Sequence, residues 1–454
     1  MKTRNFLKVR DGFYHELFVL VIPIVIQSLI TNAVSMADVV MLGRYDQTAL
    51  SASSLAGQVQ FILNIVFFGL ASSVTILASQ YWGKKDNKTV SKILGIGLII
   101  SVIICTIATL LALFVPHFLI SIWTDIPELQ VEGAKYLRVV AFSYFFAGIS
   151  QPYLSIMKSC ERVMLSTKIS FATLLANVVL NACLIFGLGP FPELGIVGAA
   201  LATTIVRGIE LLICIVDFLH QNTIPKSLKN MFTIPKFLIS DFAKYCLPAF
   251  INDAMWGLAF NMNSIIMGHM EADIVAANSI VTVARDLVSV TGFGISAAAS
   301  IMLGKEIGEN KLEEARYDAS SILKTSFLAS VIQGLILLAL TPFIPNFVLL
   351  TDTAAHYLRI MLLISTVYQM GQVINTVLIA SLFRCGGDSR YGMVLDIICM
   401  WGFAVPLGLI SAFVLKLPSI IVYLLMCTDE FAKMPFALWH YKKGNWIKNL
   451  TREA

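Results

Sequence analysis

The sequence predicts an all-α polytopic membrane protein with twelve transmembrane helices in two pseudo-symmetric lobes of six. Hydrophobic residues make up 57% of the 454 residues and charged residues only 13%, about half the charged fraction of an ordinary soluble domain. Apolar runs of about twenty residues, the length that crosses a bilayer, recur along the whole chain. The second half also repeats the first, so the two halves share one plan.

The repeat is visible without gaps over about sixty positions. A shift of 225 residues places Pro23 on Pro248 and Gly43 on Gly268. Repeats of six helices each, with the same orientation in the membrane, place a cavity at their interface. We therefore expect a paired-lobe architecture.

The twelve apolar segments are separated by short polar or Gly/Pro-marked breaks. Each run is continuously apolar and does not alternate as the strands of a membrane barrel do, so each predicts a helix. In the first half the predicted helices are 14–42, 50–80, 93–115, 133–157, 167–187 and 195–219. In the second half they are 242–268, 274–303, 317–341, 353–381, 391–413 and 417–440.

Orientation follows from the lysines and arginines, because cytoplasmic loops carry their excess. With the N-terminus inside, most basic residues, Arg384 and Arg390 included, fall on the inner side. The outer side keeps Arg44, Lys135, Arg138, Arg359 and Lys416. We predict a multi-pass protein of the cell membrane with both termini cytoplasmic. The formal charge of +5 reflects this topology, and nucleic-acid binding is not needed to explain it.

The longest inner connection divides the chain. It carries two prolines and several lysines between the sixth and seventh predicted helices. The predicted organisation is an N-terminal lobe at 1–220, a cytoplasmic loop at 221–241, and a C-terminal lobe with a short basic tail at 242–454.

A carboxylate, Asp38, lies near the outer end of the first apolar segment. A charged side chain in hydrocarbon costs at least about 2.5 kcal/mol, so such residues face a protein interior or a water-filled cavity. Asn177 and Asn181 are four apart and therefore share one helix face. By helix rise, these three residues and Thr203 all lie within about 15 Å of the outer ends of their segments.

We predict a cation-binding or coupling site at Asp38, Asn177, Asn181 and Thr203. Na⁺ would be held by the oxygens of Asp38, Asn177 and Asn181, as carboxylate and amide oxygens suit hard cations. The proton-coupled version is a protonated Asp38 hydrogen-bonded to the asparagines. The alternative is hydrogen bonding between helices with no role in binding.

The second half carries Asn263 where the first half has Asp38, and its charges lie deeper. Five acids against two bases near the membrane midplane predict a negative field that attracts a cationic substrate. The alternative is charge compensation that locks helices together. The predicted network is Asp253, Arg285, Asp286, Asp396, Asp429, Glu430 and Lys433.

Several stretches together resemble the multidrug and toxin extrusion (MATE) transporters. They are PIVIQSLITNAVSMADVVMLGRY, GKKDNKTVSK with its partner GENKLEEARYDA, NVVLN, GIVGAALATTIVR and FRCGGDSRYG. The resemblance implies a V-shaped pair of lobes that alternates access and exports organic, often cationic, compounds against inward Na⁺ or H⁺. The four residues of the predicted cation site match the family's site in its N-terminal lobe, with Asn181 where some members carry aspartate.

Other classes of membrane protein compete with a cation-coupled exporter. A flippase for lipid-linked saccharides or other lipids would share the frame, but more basic residues are expected in its cavity. A membrane prenyl- or acyltransferase would need DDxxD or HxxxxD, and an ATP-driven transporter a Walker motif; the sequence has none of these. We expect no enzyme activity and no cofactor besides the coupling ion. The expected partners are small organic cations or drugs and the bilayer, with the protein acting as a monomer.

Overall fold

The structure, a computed structural model, describes residues 9–347 and 350–452. All regular secondary structure in these ranges is helical, as the sequence predicts. Both chain ends of the topology prediction, before residue 9 and after residue 452, lie outside the described residues. The first helices are α1 (Phe13–Tyr45), α2 (Gln47–Gly83), α3 (Asn87–Phe114), the short α4 (Pro116–Ser121), α5 (Pro127–Ser159), α6 (Val163–Phe186) and α7 (Gly195–His220).

The second set of helices begins after two short ones in the long connection. These two are α8 (Leu228–Phe232) and α9 (Lys236–Asp241). The helices that follow are α10 (Leu247–Gly268), α11 (Ala272–Gly308), α12 (Leu312–Leu340), α13 (Asp352–Asn375), α14 (Ser389–Cys399), α15 (Val405–Leu409), α16 (Ser419–Met426) and α17 (Asp429–Lys443). Wider π-helical turns extend α13 to Phe383 and flank α15 at Met400–Ala404 and Ile410–Val414.

Ten helices within the described ranges are long and apolar enough to cross a membrane. The segment predicted at 242–268 is not among them, although α10 has 22 residues and therefore spans about 33 Å. Asn252, Asp253, Asn261 and Asn263 lower its hydropathy. Helix α10 therefore carries polar side chains that can take part in a site inside the protein.

The last predicted helix, 417–440, is wrong as one continuous element. The structure breaks it at Cys427 and Thr428, between α16 and α17. Asp429 and Glu430 form the first turn of α17, where the positive end of the helix dipole favours carboxylates. The two acids therefore begin a helix and do not lie within one.

The described residues divide into two compact units. The N-terminal unit comprises Ile26–Ala78 and Lys85–Ser240. The C-terminal unit comprises the chain as far as Val25, Ser79–Lys84 and the chain from Asp241. Helices α1 and α2 thus contribute to both units, and the lobe boundaries predicted from the sequence stay a prediction.

In the N-terminal unit, α5 packs against both α3 and α7, and α6 packs against α7. The contact between α6 and α7 depends on Gly198, because a Cβ at this position would lie 2.3 Å from the carbonyl oxygen of Leu184. Glycine therefore permits a backbone approach that a side chain would block. This contact fixes the position of the helix that carries Asn177 and Asn181.

The outer face of α3 is apolar and exposed along its length. Its exposed positions recur every three or four residues, so they form one stripe. They are Ile99, Ile103, Ile107, Leu110 and Phe114. A stripe of this kind has no favourable contact with water, which agrees with its place in a membrane span.

In the C-terminal unit, α11, α12 and α13 pack against one another, and α10 packs against α14. Helix α17 packs against both α13 and α14. The buried cluster around Ile266, Val281 and Tyr368 forms part of its core. Four of these helices, α10, α13, α14 and α17, therefore converge where the polar residues of the second half are buried.

The residues after α17 are built into the C-terminal unit through Gln80 at the end of α2. The Gln80 side-chain amide donates to the carbonyls of Cys385, at 2.6 Å, and Lys448, at 3.2 Å. The backbone N–H of Leu450 donates to Gln80 Oε1 at 2.7 Å. Arg452 forms an ion pair of 2.6 Å with Asp241, whose side chain is buried. The tail is therefore part of the folded unit.

Candidate ion and substrate sites

Three of the four predicted cation-site residues meet in the N-terminal unit. The Asn181 amide donates to Asp38 Oδ1 at 2.6 Å and to Asn177 Oδ1 at 3.2 Å. Asn177 and Asn181 are buried on α6, and Asp38 is half-buried on α1. The three side chains therefore meet, and their role as a cation site stays a prediction. We call them the Asp38 cluster.

Two oxygens of the Asp38 cluster are left open. Asn181 is the only hydrogen-bond partner of the Asp38 carboxylate among the described residues. The side-chain oxygen of Asn181 is buried and has no partner there either. Because a buried acceptor without a partner is costly, the cluster is suited to receive a proton or a cation.

Thr203 does not join the cluster through a hydrogen bond. It is half-buried on α7, and no hydrogen bond links it to the other three within the described residues. The neighbouring Thr204 instead donates to the backbone carbonyls of Val139 and Ala200. The threonine that helps to hold α5 against α7 is thus the one that the sequence did not single out.

Tyr136 on α5 lies near this site, and the sequence analysis did not single it out. It packs on the core formed by Leu42, Ile185 and Ala199, beside the helices of the Asp38 cluster. It also lies within electrostatic range of Asp38. The signal was present, since Tyr136 belongs to the stretch KYLRVV, which recurs in the second half as HYLRIM.

In the C-terminal unit, Asp253 forms a bidentate ion pair with Arg384. Arg384 Nη2 lies 2.6 Å from Asp253 Oδ1, and Nη1 lies 2.9 Å from Oδ2. Both residues are buried. Asp253 is therefore already balanced by Arg384, a partner that the predicted network did not include. Arg384 directly follows the π-helical turns that end at Phe383.

A second buried group centres on Lys433 of α17. Its Nζ lies 2.9 Å from Glu430, 3.1 Å from Asp396 and 3.7 Å from Asp429. Asn252 donates to Asp396 at 3.0 Å, and Asn375 donates to Glu430 Oε2 at 2.8 Å. These four ionic residues thus form a network, with two asparagines at its edge.

Asp286 and Arg285 do not belong to that network. The Asp286 side chain is exposed on α11, so its predicted place in the network is wrong. No carboxylate lies within 4 Å of the Arg285 guanidinium among the described residues. The predicted balance of five acids to two bases becomes four buried acids, Asp253, Asp396, Asp429 and Glu430, against Arg384 and Lys433.

None of these groups has the composition of a protein metal centre. Within the described residues, no three His, Cys, Asp or Glu side chains are placed to hold a metal ion. The Asp38 cluster offers one carboxylate and two amides, which suits an alkali cation or a proton bound transiently.

The protein-family model MatE matches the chain twice, at residues 23–183 and 248–410. The two matches begin at Pro23 and Pro248, where the internal repeat begins. Among curated relatives, the YisQ transporter of Bacillus subtilis is 23% identical over 95% of both chains. A probable multidrug resistance protein NorM of Haemophilus ducreyi is 22% identical over 87% of this chain and 86% of its own.

Solved structures share the fold. The eukaryotic MATE transporter AtDTX14 superposes with a TM-score of 0.84 at 17% identity, over 97% of this chain and 98% of its own. The Vibrio cholerae MATE transporter VcmN gives 0.85 at 15% identity, over 96% and 99%. The two family matches and the similarity over the full length lead to one conclusion: the chain belongs to the MatE family, whose members are multidrug and toxin extrusion transporters and not enzymes.

Proposed function

We propose that this transporter is a secondary exporter that acts as a monomer in the cell membrane and couples inward cation flow to the export of organic compounds. The observation that carries the proposal is the Asp38 cluster, a carboxylate hydrogen-bonded to a buried amide inside a membrane span. Ionisable residues in such positions serve ion pathways and proton relays. The names of the curated relatives, probable multidrug resistance proteins, support the same class of substrate.

Of the two coupling ions, the geometry favours the proton. The Asn181 amide points its N–H groups at both the Asp38 and the Asn177 oxygens. A hard cation would need the amide to turn its oxygen inward, whereas a proton can bind the free oxygen of Asp38 without that rearrangement. Na⁺ coupling remains the alternative that the experiment must separate.

For the substrate we propose organic cations. The buried residues of the C-terminal unit keep an excess of carboxylates, because Lys433 alone faces Asp396, Asp429 and Glu430. In a medium of low dielectric constant, such an excess attracts a positive charge more strongly than it would in water.

The test uses purified protein in liposomes with an imposed H⁺ or Na⁺ gradient. We expect gradient-driven export with the H⁺ gradient, and its loss in Asp38→Asn, which removes the titratable group and keeps its size. Asp125→Asn is the matched control, because Asp125 is exposed in the loop between α4 and α5. Undiminished export by Asp38→Asn would remove the coupling role, and export driven by Na⁺ alone would reassign the ion.

A further inference from the structure

A small cleft opens within the C-terminal unit, separate from the buried ionic residues already described. Helices α10, α11, α13 and α16 supply its walls, and Cys427 just beyond α16 completes it. Its polar lining includes Asn263, Asn278, Thr282, Tyr423 and Arg285. No carboxylate lines it among the described residues, and its one ionised side chain is Arg285.

Arg285 is held in place but is not neutralised. Its guanidinium carbon lies 4.2 Å from the centre of the Tyr368 ring, within the range of a cation–π contact. Within the described residues its one hydrogen bond is a long one, 3.5 Å from Nη1 to the Tyr423 hydroxyl. Tyr423 is itself engaged with Ser365 at 2.8 Å. Since a guanidinium has five N–H donors in a fixed fork, most of this fork has no protein acceptor.

An uncompensated cation inside a membrane span has a high free-energy cost, so an anionic partner would stabilise Arg285. The planar guanidinium can bind a carboxylate through two parallel hydrogen bonds. The side chain of Asn263 adds a second open group, since its buried oxygen has no hydrogen-bond partner in the described part of the chain. The cleft therefore offers donors for an anionic group and an acceptor for a neighbouring N–H or O–H.

The internal repeat shows that only the second half of the chain carries this pairing of an asparagine with an arginine. Shifting Asn263 and Arg285 back by 225 residues gives Asp38 and Gln60. The first half thus has an acid and a neutral residue where the second has a neutral residue and a base. Arg285 therefore has no counterpart near Asp38, and the duplication of the first half does not explain its presence.

Two acidic residues next to the cleft indicate which kind of carboxylate-bearing ligand it prefers, a simple anion or a zwitterion. Asp429 and Glu430 begin α17 two and three positions after Cys427, which lines the cleft. Together with Asp396 they outnumber Lys433, the one base that pairs with all three, so this group keeps a net negative charge. That charge would repel a simple anion and attract the cationic group of a zwitterion.

We propose that Arg285 binds the carboxylate of transported compounds, so that zwitterions carrying both a carboxylate and a cationic group are preferred ligands of this cleft. The inference rests on the proposed export function and names a class of substrate within it.

The experiment compares rhodamine 110, which has a free benzoate, with rhodamine 123, its methyl ester. Binding is measured by fluorescence anisotropy with the full protein in nanodiscs of neutral phosphatidylcholine. We expect rhodamine 110 to bind about tenfold more tightly, the effect of one charge-assisted hydrogen-bonded pair. Arg285→Gln should weaken rhodamine 110 to the level of the ester and leave rhodamine 123 unchanged. Arg359→Gln, at an exposed arginine of α13, should keep the tenfold preference.

Equal binding of the two dyes by the unaltered protein would overturn the proposal, and this comparison holds even if Arg285→Gln fails to fold. A preference that survives in Arg285→Gln would overturn it as well. A preference that disappears when phosphatidylglycerol is added would show that Arg285 holds a lipid headgroup. If the dyes bind with the expected preference but no gradient drives their export, the proposed function is contradicted and the role of Arg285 is not. If both dyes are exported without preference, the role of Arg285 is contradicted and the proposed function is not.

Discussion

At the scale of single residues, the ion pair between Asp253 and Arg384 means that a substitution of either residue would affect the stability of the fold. The pair is bidentate and both residues are buried. Removal of one partner of a buried pair leaves an uncompensated charge, which costs about 3–5 kcal/mol. We expect Asp253→Asn to lower the melting temperature of the purified protein before any effect on substrate choice appears.

A double variant separates the two explanations of such a loss. Asp253→Asn combined with Arg384→Gln removes both charges, so most of the stability should return. Thermal unfolding of the three variants, followed by size-exclusion chromatography, measures this. A double variant no more stable than Asp253→Asn would show that Arg384 is held by other groups.

The sequence could predict the Asp38 cluster because its main pattern is local. Asn177 and Asn181 are four positions apart, and helix rise places Asp38 at a similar depth. It could not predict the pairing of Asp253 with Arg384, which are 131 positions apart. Wide π-helical turns precede Arg384, and a depth derived from a constant rise per residue does not take such turns into account.

At the scale of helices, the close approach of α6 and α7 leads to a further prediction. Gly198→Ala should force the two helices apart, because the added Cβ would lie 2.3 Å from the Leu184 carbonyl oxygen. Overpacking of this kind costs about 1–3 kcal/mol. Since α6 carries Asn177 and Asn181, proton-driven export should fall together with the melting temperature.

Gly57→Ala is the matched control, because nothing lies within 4 Å of a Cβ built there. Within a helix this change should be neutral or slightly stabilising. If Gly198→Ala were as stable and active as Gly57→Ala, the packing of α6 on α7 would not position the Asp38 cluster.

The broken helix near the end of the chain shows what apolar periodicity leaves out. The run from 417 to 440 is long and apolar enough for one helix. The chain instead starts α17 at Asp429 and Glu430, and Lys433 in the next turn forms ion pairs with both. Lys433 also pairs with Asp396 of α14, a contact that apolar periodicity cannot reveal.

At the scale of the whole molecule, the predicted topology can be tested at two exposed lysines. In a cysteine-free background, a cysteine replacing Lys229 on α8 should resist an impermeant thiol reagent in intact cells. A cysteine replacing Lys416 should be labelled from outside. Both positions are exposed. Labelling of the Lys229 position from outside would reverse the predicted orientation and remove the parallel-repeat argument.

Substrate charge is a second property of the whole transporter. We expect an ethidium-like cation to be exported several-fold faster than an uncharged analogue of similar size, because the buried carboxylates of the C-terminal unit outnumber its buried cations. Drug accumulation in a pump-deficient host measures this. Equal export of the two compounds would show that those carboxylates are structural.

The bonds between Gln80 and the residues after α17 have a practical consequence for anyone who produces this protein. Leu450 donates a hydrogen bond to Gln80, the Lys448 carbonyl accepts one from it, and Arg452 binds Asp241. An affinity tag fused directly after Arg452 would pull on these contacts, whereas one joined through a flexible Gly/Ser spacer would leave them intact. Trimming the last dozen residues as though they were dispensable should lower the yield of folded protein in detergent.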